Sequence, residues 1–408
     1  MPAQVAMLIL AYCTAPRMDF LARVMPPRLL WPAAARFRDD IIDAVACILK
    51  LSMTDRAIKR LFLPIRYGGL GIRDTASIAV FAFVGSIALT APSYTIHGSA
   101  REDYITSYHQ CRQLVDDDAL LTDDPMKAFR SFAANPCPKL QSALTREHYK
   151  RKHLALLSVM EPREKRLAKS MCEKGAGMFL RAIPSSLDLR MFDWSYCTAV
   201  RVRLLLPPID LMPSSCTCGS DDLHSHPYHW LCCPKRRQKY DVKRHDLIKH
   251  ALADFARQAG AVVTVEPRSS AGDDDRRTDI EALHPSPTLI NVGITYPASQ
   301  TNISRGRRRL VAAEHYARLG LKHNKFRKLA MAERAKFVPF IMESTGGLCN
   351  EGLQYLKYLA REISTRTGVD YARVMHSLRT TLSVRLQIGN ALIFRHGLRS
   401  TRSAGIRH

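Results

Sequence analysis

Acidic residues are scarce in this sequence: 37 Asp and Glu stand against 61 Lys and Arg, a formal net charge of +24 over 408 residues. Such an imbalance suits a polyanionic partner and argues against a cationic one. Aromatic residues are also few, at 8%. The 20 Gly and 22 Pro are too dispersed for a collagen or a low-complexity tail. Leu, Ile and Val occur throughout, which excludes a disordered chain, and 46% apolar residues over this length are enough for two or three buried cores. The longest apolar run, Ser77 to Ala91, falls short of the roughly 20 residues that span a bilayer, and Gly85 and Ser86 interrupt it. Met7 to Cys13 is apolar, but no basic residue precedes it and Arg17 and Asp19 follow. It reads as one face of a buried helix, so neither a membrane span nor a secretion signal is expected.

The charge is uneven. Residues 1–200 carry 27 basic and 19 acidic groups, whereas residues 201–408 carry 34 and 18, which places the surface for a polyanion in the second half. Seven of the 11 cysteines are scattered singly, as in a reducing compartment, while Cys216, Cys218, Cys232 and Cys233 fall together, as metal ligands do.

Periodicity divides the chain into five stretches. Residues 1–92 read as helices broken at Pro26-Pro27 and Gly68–Gly71. Residues 93–210 read as an acidic linker or variable surface, up to Pro138, and then a helical connector closed by Pro207-Pro208. Residues 211–240 hold the Cys/His cluster. From Asp241 the pattern narrows to one fold class. Leu247, Ile248, Ala251, Leu252, Phe255 and Ala259 form one helical face ending at Gly260, a common helix stop. Strands are expected at Ala261–Glu266, Asp279–Leu283, Leu289–Thr295 and Phe337–Glu343, with a long basic helix over 307–334 before the last. The order αβββαβ over 241–365 predicts an α/β domain whose strand ends build a site on one side. Helices at Glu351–Thr365 and Val369–Ile393 and a basic tail complete the chain.

Cys216-Thr217-Cys218-Gly219 followed by His229 to Cys233 supplies four soft or imidazole ligands on two short turns, the requirement of a tetrahedral zinc. Cys216, Cys218, His229 and Cys233 make the best tetrad, with His226 or Cys232 as substitutes for one member. This zinc would be structural.

Asp279 opens the second strand, Asn291 lies in the third and Glu266 ends the first, so their side chains are expected to converge. Phosphodiester cleavage needs oxygen ligands for Mg²⁺ and a lysine to orient or deprotonate water; Lys322 and Lys325 share a face of the following helix. That helix and its approach carry Arg305, Arg307, Arg308, Arg309, Arg327 and Lys328, and residues 300–336 hold eleven basic groups against two acidic. Such a stripe suits a phosphate backbone.

With these pieces in order, the stretch from Cys216 to Leu359 resembles the zinc knuckle and restriction-like endonuclease region of non-LTR retrotransposon reverse transcriptases, a branch of the PD-(D/E)xK nucleases. The resemblance rests on the Cys/His turns, Arg244-His245-Asp246, Val265-Glu266-Pro267, Arg277-Thr278-Asp279-Ile280, Ile290 to Thr295, Lys322-His323-Asn324-Lys325-Phe326 and Glu343-Ser344-Thr345-Gly346-Gly347. Upstream, Ala15-Pro16-Arg17, Phe20 to Pro27 and Leu63 to Ile72 look like the thumb of the same polyproteins. The resemblance implies a restriction-endonuclease fold and Mg²⁺-dependent nicking of target DNA that primes reverse transcription. It also implies a DNA target and element RNA as partners, and a nuclear place of work. Two positions depart from the family motif: Thr278 stands where a proline precedes the first catalytic Asp, and Asn291 replaces the second carboxylate. No Tyr-x-Asp-Asp polymerase motif is present, so the chain reads as the part that follows the polymerase centre. The rival reading is a zinc-stabilised DNA- or RNA-binding protein without hydrolysis.

Overall fold

The computed structural model describes all residues except 94–97, 116, 118–119, 220–222, 234–239, 268–277, 305–310, 319–325, 327–328 and 406–408. Contacts divide the chain into two units, one of Ala6–Val159 and one of Met1–Val5 with Met160–His408.

The unit of Ala6–Val159 is helical: α1 Pro27–Leu49, α2 Asp55–Leu61, α3 Thr75–Thr90, α4 Gly98–Leu114, α5 Pro125–Ala134 and α6 Leu140–Ser158. Thr54 and Asp74 cap α2 and α3 through their side-chain oxygens, and α3 is buried on nearly all sides. A Cβ at Gly85 would stand 2.5 Å from Gln141 Cβ, so this glycine lets α3 and α6 touch. Ala3–Val24 and Thr75–Ser93 are long and apolar enough to cross a membrane; the second is mostly buried inside its unit, and the first is broken by π and 3-10 turns.

The acidic stretch 93–138, expected to be a linker or a variable surface, contains α4 and α5. Tyr104, Tyr108 and Cys111 make a fully buried helical face, and Tyr104 Oη and Tyr108 Oη donate to the carbonyls of Pro125 and Thr122. Asp124 serves as the N-cap of α5, accepting from Met126 N and Lys127 N; its charge marks a helix start, where anions are favoured. Phe37-Arg38-Asp39-Asp40, which has the apolar-x-Asp-Asp order of a polymerase motif, lies inside α1 with both aspartates exposed.

The second unit holds α7 Pro162–Ser170, α8 Asp193–Arg203, α9 Tyr240–Gln258, then β1 Val262–Val265, β2 Ile280–Leu283 and β3 Pro287–Thr295, then α10 Val311–Arg318, β4 Lys336–Glu343, α11 Asn350–Thr367 and α12 Tyr371–Gly405. The sheet order is β1-β2-β3-β4, antiparallel except that β4 runs parallel to β3 after a crossover through α10. Ile280, Ala282, Ile290, Val292, Val338, Phe340 and Met342 face a core completed by α9, α11 and α12. On the other face, Ile341 packs with Ala313 and Ala317 of α10. Covered on both sides, β3 is buried from Thr288 to Gly293, as a strand in a parallel pair requires.

The four expected strands are present, with shifted ends. β3 begins at Pro287, paired with Leu283, a first-residue position where the missing N–H costs nothing. Asp279 stands just before β2, and Glu266 just after β1 with φ +53°. α12 runs beyond the expected end at Ile393, because Phe394 and Leu398 continue its apolar face into a second core around Trp230.

Candidate functional site

The Cys/His segment has little regular structure, so side chains must hold it. Gly219, at φ +79°, closes the first turn, with its N–H bonded to Cys216 O; His229–Leu231 form a single 3-10 turn. These turns bring Cys216, Cys218, His229 and Cys233 together, with their ligand atoms all within 4.8 Å of one another. Cys216 Sγ and Cys233 Sγ are 3.7 Å apart, and Cys218 Sγ lies 3.1 Å from His229 Nε2. A tetrahedron with Zn–S of about 2.3 Å has S–S edges of about 3.8 Å, so this donor set fits zinc. Of the two substitutes, Cys232 Sγ donates to His229 O and the His226 ring lies 5.6 Å, centroid to centroid, from that of His229; neither belongs to the cluster of four.

The acidic site lies at the end of the sheet where β2 begins and β3 runs on past it. Asp279 N donates to Ile290 O at 3.1 Å, and Asp279 Oδ2 accepts from Val292 N at 2.6 Å. The two bonds bracket Asn291, which stands opposite Asp279 when the Ile280–Ile290 register is continued by one residue. Asn291 is 5% exposed, and its Oδ1 has no hydrogen-bond partner among the described residues. Residues 290 and 292 face the core, so alternation puts Asn291 on the α10 side. Glu266 joins the same corner by donating its N–H to Asp279 O. Its carboxylate, however, pairs with Lys249 Nζ.

Sequence reasoning matched Arg244-His245-Asp246 without assigning it a task; the structure sends the three side chains in three directions. Arg244, 4% exposed, donates to Asn390 Oδ1 of α12 and to Asp241 Oδ1, and Gly389 leaves room for it: a Cβ there would meet Arg244 Cγ at 2.6 Å. His245 Nε2 lies 3.3 Å from Asp279 Oδ1. Asp246 Oδ1 is 2.8 Å from Lys249 Nζ. Burial opposes both charges of this last pair, but Lys249 and His245 still hold the Asp246 carboxyl below its ordinary value, and Asp246 with Glu266 raises the Lys249 ammonium above its own. The i, i+4 spacing of His245 and Lys249 was the signal that places both on one face of α9.

Asp279, Asn291 and Glu266 are thus brought to one corner. Lys322, Lys325, Arg305, Arg307, Arg308, Arg309, Arg327 and Lys328 lie outside the described residues; Phe326, which is described, stacks on Phe337 at 5.5 Å, beside the Leu289–Phe337 rung of β3 and β4. Glu343 sits four residues along β3 from this corner, opposite Thr295, about 13 Å away. It is 1% exposed and accepts from Ser170 Oγ. Burial raises its pKa, against the pull of Ser170 and Arg166.

For Mg²⁺, the corner offers one anionic ligand in Asp279 and one neutral oxygen in Asn291, whose orphaned Oδ1 fits such a role. No family model matches the chain. Over 372 residues, 89% of the chain, it is 23% identical to the Retrotransposable element SLACS 132 kDa protein of Trypanosoma brucei gambiense. That likeness supports a retrotransposon origin. The chain spans 26% of that protein's length.

Proposed function

We propose that the chain is part of a retroelement protein in which a zinc-stabilised, restriction-endonuclease-like domain binds nucleic acid and carries a weakened Mg²⁺-dependent DNA-nicking centre. The observation that carries this reading is the bracketing of Asn291 by the two hydrogen bonds of Asp279, which sets the two residues opposite each other in the β2–β3 register, with Asn291 Oδ1 lacking a hydrogen-bond partner among the described residues. A bound Mg²⁺ would polarise the scissile phosphate and lower the pKa of an attacking water. Asp279 supplies the charge that holds the cation, and Asn291 Oδ1 offers a second, uncharged donor. Lys249 keeps Glu266 as its own counter-ion, so Glu266 steadies the corner instead of holding metal. The lysine that acts on water is Lys322 or Lys325, and the basic residues Arg305, Arg307, Arg308, Arg309, Arg327 and Lys328 grip the phosphate backbone of target DNA or element RNA in the nucleus.

The second reading, a zinc-stabilised nucleic-acid-binding protein without hydrolysis, is favoured by the same substitution. Hard divalent cations depend on ligand charge, and Asn291 contributes none. A plasmid-nicking assay with Mg²⁺ or Mn²⁺, run beside Asn291→Asp and Asp279→Ala, separates the two. Very weak nicking that Asn291→Asp raises and Asp279→Ala abolishes supports the nuclease. DNA binding with no nicking by either the protein as it is or Asn291→Asp supports the second reading, and nicking that survives Asp279→Ala would mean the carboxylates named here are the wrong ones.

A further inference from the structure

α9 does more than fill the core. Its buried face is fixed by Ile248, Leu252 and Phe255 in the core under the sheet, and its first turns are fixed by Arg244, tied to Asn390 and Asp241. Between these anchors, Lys249, its side chain 4% exposed, is held by Asp246 and Glu266. His245 is therefore on a helix anchored on either side of it. Its ring has one acidic neighbour on each side: Nδ1 lies 3.6 Å from Asp246 Oδ1, and Nε2 lies 3.3 Å from Asp279 Oδ1.

Asp279 follows the chain segment 268–277, outside the described residues, and stands before β2 rather than in it. The ladder secures its backbone through Asp279 N to Ile290 O and Glu266 N to Asp279 O, but the carboxylate itself has a single backbone donor among the described residues, Val292 N at Oδ2. One donor leaves a carboxylate free to swing about its terminal torsion, which is broad for aspartate. A second donor at the other oxygen fixes its plane.

We propose that His245 is the positioning residue for Asp279: with Nε2 3.3 Å from Oδ1 and Val292 N–H donating to Oδ2, the carboxylate is flanked at both oxygens so that a remaining lone pair on each is presented to a divalent cation beside Asn291. This rests on the reading of Asp279 as a metal ligand. Each carboxylate oxygen has two acceptor directions, so the clamp and a cation can share it, and partners of metal ligands set the ligand's orientation at about 10- to 100-fold in affinity. Lys249 has the complementary task of neutralising Asp246 and Glu266, so that its charge is spent on those two carboxylates.

The test uses the full, zinc-loaded chain carrying Asn291→Asp, the variant with the stronger expected affinity. Mn²⁺ binding is followed by calorimetry, nicking is followed against Mn²⁺ concentration, and thermal unfolding is recorded for every variant. His245→Ala should raise the Mn²⁺ dissociation constant and the half-saturating concentration by about tenfold or more, while the nicking rate at saturating metal and the unfolding midpoint change little. His245→Gln, whose amide N–H can take the place of Nε2–H, should recover most of that loss. Unchanged Mn²⁺ binding in His245→Ala overturns the proposal, as does a loss in both variants that tracks a fallen unfolding midpoint, since that would make His245 merely structural. Asp279→Ala is the separate arm for the underlying reading. If it leaves Mn²⁺ binding intact, Asp279 is not a ligand, and the clamp has no function to serve. If it removes binding while His245→Ala does not, the ligand stands and only the positioning role of His245 falls.

Discussion

Removing the metal from the Cys/His turns should expose Trp230. This residue is 1% exposed and belongs to the 3-10 turn His229–Leu231, between two of the zinc ligands. Its ring packs on Phe394, with centroids 6.4 Å apart, and sits over Gly397, where a Cβ would be 2.2 Å from its Cε3. Fifteen described residues lie from Cys216 to Cys233, and ordering them costs about 1–2 kcal/mol each, on the order of 22 kcal/mol in all. Burying the Trp230 side chain recovers about 4–6 kcal/mol, and Leu223, Tyr228 and Leu231, all buried in the same cluster, add about 2–3 kcal/mol each. The shortfall is roughly 10 kcal/mol, the scale on which a structural zinc contributes. The assay is tryptophan emission in a chain carrying Trp31→Phe and Trp194→Phe, so that only Trp230 reports. Chelation, or Cys233→Ser, should shift its emission to the red and lower the unfolding midpoint of that core, with little change in helical signal. Emission and midpoint both unmoved by a chelator that demonstrably extracts zinc, or no zinc found in protein purified without chelator, would refute the reasoning.

Three further outcomes are expected. Glu343→Gln should stabilise the protein near pH 7, because burial raises the folded carboxyl above its unfolded value. The wild-type contribution is then complete below the ordinary glutamate pKa and is lost as pH rises through the folded one; the advantage of the variant should shrink to nothing below about pH 4, and an advantage that grows in acid would contradict it. Neutralising Arg307, Arg308 and Arg309 together should reduce the slope of log affinity for DNA against log salt by about 2–3, whereas an unchanged slope would place the phosphate contacts elsewhere. Gly397→Ala should destabilise by about 1–3 kcal/mol despite the better helix propensity of alanine, measured by denaturant unfolding; a stabilised variant would show that Trp230 is not seated as described.

Much of the sheet and the metal tetrad could be read from sequence because each leaves a local signature. The β-branched runs of β1 and β3 announce strands, and the Cys/His spacing points to Cys216, Cys218, His229 and Cys233 as the best tetrad, the four side chains that the fold brings together. What the sequence hid depends on distance or on composition. Tyr104, Tyr108 and Cys111 share a helical face, but the aspartates beside them made 93–138 read as solvent-exposed linker. Lys249 and Glu266 are 17 residues apart, and nothing local ties a lysine on one helix to the left-handed residue after a strand. His245 meets Asp279 across 34 positions, so its role appears only once α9 lies on the sheet.

Gln4 has a consequence for the order in which the chain folds. Its Nε2 donates to the carbonyls of Ala182 and Leu189, and its Oε1 accepts from Met191 N, so Met1–Val5 is stitched into the unit that resumes at Met160. During synthesis this short segment can find no partner until the loop around residue 190 has followed, by which time Ala6–Val159 has had time to fold between the two. The inserted unit then serves as a closed tether, and the entropy of joining Gln4 to Met191 depends on how near its ends lie rather than on the length of chain between them. Cutting the chain at Met160 would leave three backbone groups, Ala182 O, Leu189 O and Met191 N, without the amide that now satisfies them.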